Sequence, residues 1–208
     1  MESIFAIISI AFVAMITPGP NNFIVMHCAV RTGFSSALPL IFAVIAGALS
    51  ISLLVWAGIA TLLAAIPWLQ SLITIIGASY LIYLGLSLMS IKISDGNANE
   101  KNVLPGTFKS VYLFQFLNPK SLVLIATLIT ELARDFSALN SLGILLGVII
   151  AVPLLCLLIW SACGHLLAEQ LKIVTVRAMF NKVMGALLVL PASYVLWTNM
   201  AIYFKASV

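Results

Sequence analysis

The sequence predicts an all-α, polytopic membrane protein: six transmembrane helices arranged as two inverted three-helix repeats, with helices 1 and 4 broken at mid-membrane. Three observations carry that expectation. Only 8% of the 208 residues are charged and 63% are hydrophobic, where soluble domains carry about 25% charge. Uncharged runs exceed the roughly 20 residues that cross a bilayer, the longest being the 60 residues from Thr32 to Ile91. Short polar motifs built around proline recur inside the first and fourth apolar segments, Thr17-Pro18-Gly19-Pro20-Asn21 and Leu117-Asn118-Pro119-Lys120. Strand alternation is absent, so helices are the element that satisfies the backbone in lipid. This composition excludes most soluble enzymes and secreted scaffolds. The net charge of +4 is spread through short connections with no basic run of five, so no nucleic-acid partner is expected.

Taken in order, Ser3 to Val30 supplies the first span; Glu2 stands where a signal peptide would have a basic n-region. Thr32 to Ile91 must fold back once, at Ile66-Pro67-Trp68, which makes spans two and three. Lys92 to Lys109 is the one long hydrophilic connection. It separates repeat one (about 1–91) from repeat two (about 108–208), with a loop at about 92–107, inside a single transmembrane domain of residues 1–208. Ser110 to Thr130, Phe136 to Ala168 and Val183 to Phe204 are spans four, five and six.

With the N terminus outside, the inner connections hold Arg31, Lys92, Lys101, Lys109, Lys172, Arg177 and Lys182, and the outer ones only Arg134 and Lys205. The positive-inside rule then puts both termini on the periplasmic face of a bacterial inner membrane. Trp68, Trp197, Tyr112 and Tyr203 fall near span ends, as interfacial aromatics do. The halves are weakly alike: Ala78-Ser79-Tyr80 recurs as Ala192-Ser193-Tyr194. Three spans is an odd number, so the second half starts on the opposite face, an inverted-topology repeat typical of transporters. Gly47, Gly77, Gly85, Gly143, Gly147 and Gly185 are expected to allow close helix contact, Gly143 and Gly147 at GxxxG spacing; they permit a homodimer without requiring one.

Pro18-Gly19-Pro20 interrupts span one, and the freed backbone groups must face protein or a water-filled cavity. Thr17, Asn21 and Asn22 are placed to satisfy some of them. Asn118-Pro119 has the form of a helix start, Asn as N-cap and Pro at the first helical position. Lys120 follows, 11 residues after Lys109 and 11 before Glu131, about 16 Å from either marker and so near the middle of a core about 30 Å thick. A central lysine costs about 2.5 to 3.5 kcal/mol to insert, and no carboxylate lies at its depth in the sequence. Snorkelling suits helix ends better. A ligand anion is the natural counter-ion, helped by the N-terminal ends of two half-helices. Carbonyls of the preceding half-helix, with Thr17 and the asparagines, would receive an ammonium, so a zwitterionic amino acid fits. A packing kink without a ligand is the plainer alternative for the proline motif.

Thr17-Pro18-Gly19-Pro20-Asn21-Asn22, the run Gly77-Ala78-Ser79-Tyr80-Leu81-Ile82-Tyr83-Leu84-Gly85, and Gln115-Phe116-Leu117-Asn118-Pro119-Lys120 closely resemble the LysE/RhtB family of bacterial amino-acid exporters over essentially the whole chain. The resemblance implies export of amino acids or close derivatives across the inner membrane, driven by proton exchange. Gly164-His165 looks like the branch that exports cysteine and related neutral amino acids. On this reading the substrate-binding residues are Lys120, Asn21, Asn22, Asn118, Thr17 and Tyr80, and the helix-break residues Pro18, Gly19, Pro20 and Pro119. Proton coupling would arise if Lys120 alternates between an anion-paired ammonium and a neutral amine.

Tyr80, Tyr83 and Tyr194 either line the central path or pack at interfaces. His27 and His165 stand apart from acids, which argues against a metal. With no nucleotide motif and no CxxC, no metal or other cofactor is expected, and an enzyme is not indicated. A membrane thiol-disulfide electron carrier using Cys28, Cys156 and Cys163 is the competing class. It would require reactive thiols facing one another.

Overall fold

Proline and glycine set most of the helix boundaries in the computed structural model, which describes residues 2–59, 66–91 and 104–206. Helix α1 (Glu2–Ile16) stops before Pro18, and α2 (Pro20–Thr32) starts on Pro20. Gly33, at φ 93°, ends α2 by returning its N–H to the Ala29 carbonyl at 3.0 Å and turns the chain into α3 (Phe34–Leu54); that left-handed φ suits glycine. A π-helical turn, Val55–Ile59, follows. Helix α4 (Pro67–Met89) begins with proline at its first position, so the expected reversal ends where Ile66-Pro67 put it. Residues 60–65 and Lys92 to Val103, most of the expected long loop, lie outside the described residues.

Helix α5 (Phe108–Phe114) is opened by a capping box between Thr107 and Ser110. It runs through a 3-10 turn, Gln115–Leu117, and gives way to α6 (Pro119–Asp135). Helices α7 (Ala138–Leu167) and α8 (Val174–Ala206) complete the chain. Every regular element among the described residues is helical. Four stretches are long and apolar enough to cross a membrane: Phe34–Gly58, Ser71–Met89, Ala138–Leu167 and Val174–Met200. Two bent pairs pass the same test together, Ile4–Ile16 with Pro20–Thr32 at 53° and Phe108–Leu117 with Pro119–Asp135 at 64°, giving up to six spans if each pair counts as one.

Helices α4 and α8 pack along each other, and α7 packs against α1, α2 and α3, while α3 also receives α5. At the α4–α8 seam a Cβ on Gly85 would fall 2.7 Å from the Gly185 carbonyl oxygen. Only glycine permits that approach. One buried cluster gathers Phe23, Ile41, Leu84 and Leu157; a second gathers Ile7, Leu128, Leu132 and Ile149.

Two expectations need correction. Helix α8 starts at Val174, nine residues before the expected start of span six at Val183, because Arg177 and Lys182 are good helix formers and charge does not end a helix. A Cβ on Gly143 or Gly147 would meet nothing within 4 Å; their spacing is right, but no helix among the described residues comes that close. Tyr112, four residues into α5, is half-buried and shares a 3.0 Å hydrogen bond with Ser50 Oγ, which refines its expected place near a span end. Trp68 and Trp197 are exposed.

Candidate functional site

A helix that stops inside a membrane protein leaves its last carbonyls without intrahelical donors. In α1 side chains meet that need. Asn22 Nδ2 donates to the carbonyls of Met15 (3.0 Å) and Thr17 (2.8 Å), Thr17 Oγ1 donates to Ala14 O (2.8 Å), and Trp160 Nε1 donates to Ile16 O (3.1 Å). At the other bend Asn118 Oδ1 accepts from the backbone N–H of Lys120 at 3.1 Å, a side-chain N-cap, with Pro119 at the first helical position.

The two bends meet through Lys120. Its Nζ donates to the Thr17 carbonyl (2.8 Å) and to Thr17 Oγ1 (3.0 Å). Both acceptors are neutral. The ion pairs among the described residues, Arg134–Glu131 at 3.0 Å and Lys172–Glu169 at 2.7 Å, join neighbours on the protein surface, and no described carboxylate pairs with Lys120. Gly19 makes room for the lysine, since a Cβ there would stand 2.9 Å from Nζ and 3.1 Å from Cδ.

Behind this contact Asn21 and Gln115 exchange amides: Asn21 Nδ2 donates to Gln115 Oε1 (2.9 Å), and Gln115 Nε2 donates to Asn21 Oδ1 (3.0 Å). Gln115 Nε2 also donates to Val111 O (3.0 Å), and Ser121 Oγ donates to Gln115 Oε1 (3.2 Å). This network ties α2 to the 3-10 turn and to α6.

In front of it lies a cavity of about 530 Å³ between α1, α4, α6 and α8, within the usual range for ligand sites, about 300–1,000 Å³. Thr17, Pro18, Gly19, Pro20, Asn118, Pro119 and Lys120 all line it. The structure therefore brings seven of the expected site residues onto one surface. Asn21 and Asn22 are buried behind that surface, beside a water-sized space of about 10 Å³ that they share with Asn118, Lys120 and Ser121. Tyr80 is not on the cavity wall; it packs against Phe114 (ring centroids 5.8 Å) and Tyr83 (6.4 Å). Cys28, Cys156 and Cys163 are all free thiols, Cys156 buried and Cys163 exposed.

A family model described as LysE type translocator matches residues 12–198, a stretch that contains both bends and the whole cavity lining except Ile10. The chain belongs to the LysE family. A cysteine/O-acetylserine efflux protein of Salmonella choleraesuis (strain SC-B67) is 31% identical over 165 residues, 77% of this LysE-family chain and 81% of the relative. The protein of the same description in Salmonella typhimurium (strain LT2) matches to the same extent. A leucine efflux protein of Salmonella typhi is 30% identical over 116 residues, 54% of this chain and 55% of its own. No solved structure matches.

Three polar groups of this LysE-family member, Gln115, Ser121 and Trp160, hold the bends without being among the expected site residues. Gln115 was visible as an uncharged polar residue inside an apolar span, costly there without partners. Ser121 and Trp160 carried no comparable signal, because serine and tryptophan are ordinary in membrane helices.

Proposed function

We propose that this chain is a secondary active exporter of amino acids or close derivatives across the bacterial inner membrane, with the substrate carboxylate held at Lys120. The observation that carries the reading is the Lys120 ammonium at the wall of the cavity, bonded among the described residues only to neutral oxygens of Thr17. An ammonium has three donors, so one remains for a carboxylate oxygen. The N-terminal ends of α2 and α6, at Pro20 and Pro119, add their partial positive charge beside the same lysine. Thr17 and Asn118 orient the bound zwitterion. Asn21 and Asn22 act from behind by holding the bend in shape, and Tyr80 supports it through Phe114. The relatives that export cysteine, O-acetylserine and leucine agree in substrate class.

In this reading each bent pair is one span broken at mid-membrane, and the chain is a single domain of two inverted repeats, about 1–91 and 108–208. The packing is consistent with that symmetry. Helices α4 and α8, third in their halves, pair with each other; α3 and α7, second in theirs, also pair, and α1 and α5 lean on the second helix of the opposite half. Both termini face the periplasm. Protons are the counter-substrate, entering the cytoplasm as the amino acid leaves it, and Lys120 is the titratable group at the carboxylate site through which the two fluxes are linked. The three cysteines are free thiols and the relatives are efflux proteins, so a thiol electron carrier is not favoured.

The test is counterflow of leucine, cysteine and other amino acids in proteoliposomes, with wild type and Lys120→Met. Wild type exchanges one or more of them in a pH-gradient-dependent manner, and Lys120→Met exchanges none. Full gradient-dependent transport by Lys120→Met would refute the role of the lysine.

A further inference from the structure

The cavity has two chemically different ends. Thr17, Asn118 and Lys120 are polar, and beyond them the lining contributed by α1, α4, α6 and α8 contains a single polar side chain, Thr127. Along α6, Val123 and Leu124 lie one turn past Lys120 and Thr127 two turns past it, on the same face. Those steps are about 5 Å and about 10 Å along the helix. Leu187, Pro191 and Val195 recur every four residues on α8 and line the same cavity. Thr127 Oγ1 donates to Val123 O at 2.9 Å, so its hydrogen is already committed.

We infer that this is the side-chain subsite of the proposed exporter, and that it selects amino acids whose side chains are uncharged and mainly apolar. The inference rests on Lys120 anchoring the carboxylate. A leucine side chain then lies against Val123 and Leu124. The four-carbon stem of lysine would carry its cation past that turn to Thr127 and Pro191, where the cavity lining offers no carboxylate. A glutamate side chain would bring a second anion without a second cation. Either charge is left unpaired in a low-dielectric site, which costs enough to exclude it. Leucine should be favoured over lysine and glutamate by roughly 100-fold or more. Thr127 is the specificity-determining position for charge, and Val123 for length.

Counterflow by the full chain in proteoliposomes, with leucine, alanine, lysine and glutamate as alternatives, tests this. Thr127→Asp places an anion at the second turn and should raise lysine exchange relative to leucine at least tenfold, with glutamate still excluded. Val123→Phe fills the first turn and should shift preference from leucine to alanine, which keeps the test open should the aspartate variant fail to fold. Lysine or glutamate exchange at the leucine rate in wild type would overturn the inference, as would unchanged ratios in the folded variants. Lys120→Ala separates the two levels. If it abolishes exchange while the ratios ignore Thr127 and Val123, only the subsite is wrong; if it leaves exchange intact, the carboxylate site itself is wrong.

Discussion

The Asn21–Gln115 pair joins two bends that lie 94 residues apart in sequence, and its energetics are unequal in a way that can be measured. Gln115 is fully buried and Asn21 only 5% exposed. In Gln115→Leu the Asn21 amide loses both of its partners, the 2.9 Å and 3.0 Å bonds, and has no other among the described residues. Two orphaned groups at about 1–3 kcal/mol each give a cost of about 2–6 kcal/mol. In Asn21→Leu, by contrast, Gln115 keeps Val111 O and Ser121 Oγ, so the loss is nearer two ordinary membrane hydrogen bonds, about 1–2 kcal/mol. The double variant leaves no orphaned amide, only the Ser121 hydroxyl without its Gln115 acceptor, and should cost less than the sum of the two. Reversible unfolding in mixed micelles of rising SDS fraction would read all three. The expected coupling is about 1–2 kcal/mol, with Gln115→Leu the worse single change. Additivity within about 0.3 kcal/mol, or the reverse order of the single variants, would refute the reasoning.

Other expectations follow from single contacts. Gly77→Ala drives a Cβ into the Leu117 carbonyl, a backbone atom that cannot swing aside, and should destabilise by about 1–3 kcal/mol, read in the same unfolding assay. Trp160→Phe keeps an aromatic ring for the edge-to-face contact with Phe23 but strips the donor from Ile16 O; a loss of about 1–3 kcal/mol is expected. Replacing Cys28, Cys156 and Cys163 together with Ala should leave transport in proteoliposomes intact, and its abolition would revive the thiol carrier.

What could be read from the sequence was what depends on neighbours along the chain. The stop at Ile16 and the start at Pro20 follow from two prolines and a glycine, and the cap at Asn118 follows from an asparagine before a proline. Each is decided within a few residues. The start of α8 was misplaced because charge reports the water boundary, and a helix can continue through it. Gly143 and Gly147 show the same limit: spacing identifies a face suited to contact but not whether another helix meets it. The Asn21–Gln115 exchange, the Trp160 donor to Ile16 and the seat of Tyr80 beside Phe114 depend on tertiary packing between distant segments. No local pattern specifies those partners.

The central claim is that Lys120 recognises a carboxylate, and the most direct measurement compares leucine with leucinamide as inhibitors of leucine counterflow by wild type and Lys120→Gln. Wild type should be inhibited at least tenfold more effectively by leucine than by its amide, and residual exchange by Lys120→Gln should show little preference between them. Equal inhibition of wild type by both compounds, or full discrimination retained without the lysine, would contradict it.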